Sequence, residues 1–126
     1  MHDLKLFELI SWISLPTVMF GGYVLLGSVG DKLSDGQRAV FRAGHAHAGV
    51  LLVLSLAYYI YMGSTSLSLG AKKAACAALL AGIILQSGGF FWRAYLGAGA
   101  GKNMTRVGAL LLATASIVLI VGLVST

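Results

Sequence analysis

Residues 39–62 read AVFRAGHAHAGVLLVLSLAYYIYM, an apolar run whose first half carries two histidines, His45 and His47. Its length matches the roughly 20 residues that a helix needs to cross a bilayer. That match decides the class of the fold. An ionisable ring inside a membrane span is costly unless it faces protein, a cofactor or a water-filled cavity, so the histidine pair requires a reason.

Three more apolar stretches flank this one: Leu4 to Val29, Ala71 to Leu96 and Met104 to Val124. Of the 126 residues, 58% are hydrophobic and 10% charged, with one proline, and the mean hydropathy is +0.88. No ordinary soluble domain has this composition. The expectation is an all-α integral membrane protein, a four-helix up-down bundle that forms a single domain over residues 1–126. A location in the cytoplasmic membrane of a bacterium is expected, surrounded by membrane lipid. The first stretch is too long for the apolar part of a signal peptide and lacks a small-x-small site before Asp31, so it is expected to be a retained helix.

The net charge of +5 is spread over the connections. No basic run points to nucleic acid. Lys32, Arg38, Arg42, Arg93, Lys102 and Arg106 flank the first and third loops, against Lys5, Lys72 and Lys73 on the other side. The positive-inside bias therefore makes loops one and three cytoplasmic, with both termini outside. Cys76 stands alone, so no disulfide within the chain is possible, and it reads as packing.

Within the first helix, Pro16 and the Gly21-Gly22 pair read as packing features. Ser34 or Asp35 is placed to cap the second helix. Gly63 to Gly70 and Gly97 to Asn103 are short polar or glycine-rich loops. No internal repeat is expected. Trp12, Trp92, Tyr58, Tyr59 and Tyr61 read as aromatic residues of the membrane interface.

Short loops make successive helices antiparallel neighbours. His45 lies seven residues beyond Arg38, and Gln86 lies seven before Arg93. At 1.5 Å per residue, both should sit about 10 Å from the face that carries loops one and three. One polar layer is thus expected to gather Tyr23, His45, His47, Gln86 and Ser87, with Arg42, Arg93 and Tyr95 nearer its mouth. Glu8 belongs to the opposite side.

Two residues apart on a helix means about 200° of rotation, so His45 and His47 cannot both face one metal ion. Zinc would want three or four ligands. A haem wants one axial imidazole, a flat apolar slot and cations for its propionates. Here the flanking Ala43, Gly44, Ala46, Ala48 and Gly49 leave room for a macrocycle, Phe90 and Phe91 belong to a facing wall, and Arg42 and Arg93 lie toward the aqueous edge. The outward histidine would face lipid in a single copy. A homo-oligomer with its cofactor between subunits removes that difficulty. A haem-free proton or small-ion conduit using His45 and Gln86 is the alternative, and an accessory subunit with internally satisfied histidines is a third.

The run Ala46-His47-Ala48-Gly49, followed by Gln86-Ser87-Gly88-Gly89-Phe90-Phe91 on the next helix, resembles the styrene oxide isomerase family of small membrane enzymes. The resemblance covers helices two and three. It implies a homotrimer holding haem b at subunit interfaces, with His47 as the iron ligand and His45, Arg42, Gln86, Arg93, Phe90 and Phe91 around the cofactor. It further implies isomerisation of a small apolar epoxide to an aldehyde by ferric iron acting as a Lewis acid. Val53 and Phe91 stand where the family carries Asn and Tyr, and His45 replaces a different polar residue. Haem ligation therefore carries over further than epoxide chemistry does. The His-x-His helix of haem-copper oxidases is similar in its splayed geometry, but this chain lacks the further histidines of such a centre.

Overall fold

The computed structural model describes residues 2–27, 29–97 and 99–125, and for His2 the backbone alone. Four α-helices account for most of the chain: α1 (Lys5–Leu26), α2 (Asp35–Ser64), α3 (Leu69–Leu96) and α4 (Lys102–Val124). Each is long and apolar enough to cross a membrane. Among the described residues there are no strands. The helices begin within a few residues of the sequence expectations because local chemistry marks their starts.

At α2 the Ser34 hydroxyl accepts from the Gln37 amide at 3.3 Å, while the Gln37 side chain accepts from the Ser34 amide at 2.9 Å. This capping box satisfies two amides that a helix start would otherwise leave open. At α3 the Ser68 hydroxyl accepts from the Ala71 amide in the same way. The α1–α2 turn is tied by Arg38, whose Nη2 donates to the Gly30 carbonyl at 2.8 Å.

The middle of the molecule is the α2–α3 pair, with α1 leaning on α2 and α4 lying along α3. The α3–α4 seam is the tightest contact, and small residues make it so. A Cβ added to Gly82 would stand 3.0 Å from the Gly108 carbonyl oxygen, and one added to Gly89 would stand 2.8 Å from the Gly101 carbonyl oxygen. These two pairs share one register that runs in opposite senses along the two helices. The same register sets Ala75 against Ala115, both buried in one apolar cluster. Small residues thus recur every seven positions, at 75, 82 and 89 on α3 and at 101, just ahead of α4, and 108, 115 and 122 on it. The spacing escapes a search for longer repeats, yet it is what lets the backbones close. Gly101 also takes a left-handed φ of 71° just ahead of α4, where a side chain would be strained.

The core lies in the half of the bundle remote from the histidines, around Leu52, Tyr59, Met62, Cys76, Leu79 and Ile83. Cys76 is fully buried there, as packing requires. Tyr58 and Tyr59 correct the interfacial expectation. They are 7% and 1% exposed, and their hydroxyls bond inside the protein. Tyr58 donates to the Ala115 carbonyl at 2.8 Å. Tyr59 and Ser11 hydroxyls are 3.2 Å apart, and Ser55 bonds Ser11 at 2.8 Å. Tyr61, by contrast, is exposed. Elsewhere the outer surface is apolar: Ile13, Phe20, Val53, Ile84, Leu110 and Ile117 are all exposed, as a lipid-facing or partner-facing wall requires.

Candidate functional site

α2 delivers the two histidines to different sides. His45 is half-buried and turned toward α1, where Gly21 and Gly22 make room for it. A Cβ on Gly22 would stand 2.7 Å from His45 Nε2. The diglycine is therefore a seat for this ring. Among the described residues His45 forms no hydrogen bond.

His47 is exposed on another side of α2, against α3. Its ring lies 5.0 Å from that of Phe90, tilted by 34°. Nδ1 donates to the Ala43 carbonyl at 2.8 Å. A carbonyl only accepts, so the proton of the neutral ring sits on Nδ1 and the lone pair sits on Nε2, away from the backbone. This is the arrangement by which a protein fixes the tautomer of a metal-binding histidine.

Gly44 brings the α2 backbone onto α3 between these features. A Cβ there would meet Phe90 Cβ at 2.8 Å and Phe91 Cε1 at 3.3 Å. Phe90 consequently borders His47. Phe91 falls on the other side of the crossing, 4.9 Å from Phe41 in a small core with Leu25 and Ala94. It also borders a shallow apolar hollow with Trp92, Tyr95 and Met104.

Three polar atoms on α3 are buried without a hydrogen-bond partner: Gln86 Oε1, Ser87 Oγ and Arg93 Nε. An unpaired buried polar group costs about 1–3 kcal/mol, and water cannot relieve it in hydrocarbon. Arg42 is exposed. Tyr23 is 74% exposed and stacks on Phe20 at 6.4 Å, while Tyr95 packs edge-on to Phe41 at 6.2 Å.

The expected layer is thus only partly drawn together. His45 meets α1, His47 meets Phe90, and Phe91 meets Phe41. Among the described residues no hydrogen bond joins Gln86 to either histidine, and no group of three or more His, Cys, Asp or Glu side chains is placed to hold a metal ion. The buried Ser11–Ser55–Tyr59 hydroxyl cluster was absent from the expected layer. Its one sequence signal is the spacing Ser55, Tyr58, Tyr59, which puts three hydroxyls on one helix face. No family model, curated protein or solved structure matches the chain.

Proposed function

We propose that the chain is an integral-membrane haem b protein, with its helices threaded as an up-down bundle and loops one and three in the cytoplasm. His47 would hold the iron, and three copies would enclose the cofactors between them. One observation carries this reading: an exposed imidazole inside an apolar span, its Nδ1 proton held by the Ala43 carbonyl and its Nε2 lone pair left free. In lipid alone that lone pair would be unsatisfied. Iron satisfies it.

The neighbouring residues fit such a group. Phe90 gives the ring an apolar wall, Ala43 and Ala46 keep the helix face flat, and a site between copies explains why His47 has no cover within one chain. Arg42 is exposed and Arg93 is half-buried in the last turn of α3, so both cations would serve carboxylates at the aqueous edge. Phe91 and Gly44 support the wall from behind, and His45 lies across the helix, seated on the α1 diglycine. When bound, ferric haem would supply Lewis acidity toward the oxygen of a small apolar substrate such as an epoxide, giving an aldehyde. The chain's part is to hold the iron on one side, exclude water and admit substrate from lipid.

A second reading, a haem-free proton conduit, draws on the hydrogen-bond-free His45 and the orphaned Gln86 Oε1. His45 sits on the α1–α2 seam, whereas the Gln86 backbone lies against Gly108 on the α3–α4 seam. A relay between them would need an intervening group.

The test is absorption of protein purified from cells supplied with a haem precursor. A Soret band should be present in the wild type, lost in His47→Ala and retained in His45→Ala. A colourless wild type that carries protons in liposomes, and loses the flux in His45→Ala, would establish the conduit instead.

A further inference from the structure

A cavity of about 900 Å³ opens at the end of the bundle remote from the histidines, between the first turns of α1, the last turns of α2 and the start of α3. Leu56 and Ile60 contribute to its apolar wall. Its lining carries both signs of charge, Asp3 and Glu8 from the N-terminal end of the chain and Lys72 from the first turn of α3. These charges do not neutralise one another. Among the described residues Glu8 makes no ion pair or hydrogen bond, and Lys72 donates instead to the Gly63 carbonyl at 3.1 Å. Trp12, one turn deeper than Glu8, lines the same cavity and is 59% exposed.

The position along the helices matters as much as the lining. Glu8, Lys72 and Gly63 all lie near helix ends, at the level where a bilayer places its headgroups, and Trp12 lies just inside, where aromatic rings collect. A half-buried carboxylate above an apolar wall calls for a cation, and a lysine at the same rim calls for an anion. Charges of both signs, not joined in an ion pair, over one hydrocarbon surface are complementary to a zwitterion joined to an acyl chain. A primary ammonium suits the carboxylates because it can donate hydrogen bonds, which a quaternary ammonium cannot.

We propose that this cavity binds one zwitterionic phospholipid of the ethanolamine type, its ammonium on Glu8 and Asp3, its phosphate on Lys72 and its chains running down past Ile60 and Trp12. The site shares no residue with the haem site proposed above. Failure of either reading leaves the other standing.

Native mass spectrometry of the full chain, released from detergent after equilibration with equal amounts of phosphatidylethanolamine, phosphatidylcholine and phosphatidylglycerol, tests the proposal. The ethanolamine lipid should be retained about tenfold over each of the others, the scale of one charge-assisted hydrogen bond. Glu8→Gln should reduce that preference to near parity, and Lys72→Gln should lower the retention of all three lipids alike, both while keeping the wild-type helical circular dichroism and elution volume. His47→Ala should leave it unchanged. Equal retention of the three lipids by the wild type, preference for the glycerol lipid, an ethanolamine preference unaltered in Glu8→Gln, or undiminished lipid retention in Lys72→Gln would each overturn the assignment.

Discussion

The two halves of the bundle treat their polar groups in opposite ways. Around Tyr58 and Tyr59, each buried hydroxyl finds a partner within the chain, through Ser11, Ser55 and the Ala115 carbonyl. Around His45 and His47, the ring of His45 is unbonded, Nε2 of His47 is open, and Gln86, Ser87 and Arg93 each bury an atom with no partner. Both halves face the same apolar surroundings. A chain that can satisfy one half so fully has no physical need to leave the other open, unless its partners come from outside. The closed half holds the fold, and on the proposal above the open half receives the cofactor.

The harshest way to break the contrast is to separate the helices that carry both halves. Gly108→Leu would drive a side chain into the Gln86 backbone and the Gly82 carbonyl. A loss of about 3 kcal/mol or more is expected from overpacking of this kind. Thermal unfolding in detergent should show a large fall in Tm, with loss of any haem band as a consequence. A Gly108→Leu protein that melts like the wild type would mean that the seven-residue seam does not set the packing.

A finer probe compares one hydroxyl from each half. Tyr59→Phe removes a partner from Ser11, and about 1 kcal/mol of stability should go with it. Any haem spectrum should be untouched. Ser87→Ala removes a hydroxyl that bonds to nothing, so stability of the haem-free protein should stay level or rise by up to about 1 kcal/mol. If Ser87→Ala destabilised the haem-free protein as much as Tyr59→Phe does, the difference between the halves would disappear. A change of similar size is expected for Gly22→Ala, where the added methyl meets only the edge of the His45 ring. Less than about 1.5 kcal/mol should be lost, with iron ligation by His47 intact.

Much of the fold is legible in the sequence because its signals are local. Span lengths follow from apolar runs, and the start of α2 follows from Ser34 with Gln37 three residues on. The separation of His45 from His47 follows from helical rotation alone. What stays hidden depends on neighbours. Tyr58 and Tyr59 occupy the last third of a span, where interfacial and buried tyrosines share one pattern, and only α1 and α4 decide between them. The small-residue seam is similar. Gly101 reads as loop glycine until Gly89 is seen against it, and the spacing 101, 108, 115 and 122 gains meaning only beside 75, 82 and 89. Equal depth assigns His45 and Gln86 to one layer, but depth carries no rotation: the His45 ring sits against α1, whereas the Gln86 backbone lies against α4.

The most direct test is a cryo-EM map of the assembly in lipid nanodiscs at a resolution that shows side chains. Porphyrin density at the boundary between copies, with its iron joined to His47 Nε2 and Phe90 alongside, is the expected result. A map in which water, lipid or a neighbouring carbonyl occupies the space beside that nitrogen in all copies, with no porphyrin against α2, would contradict it.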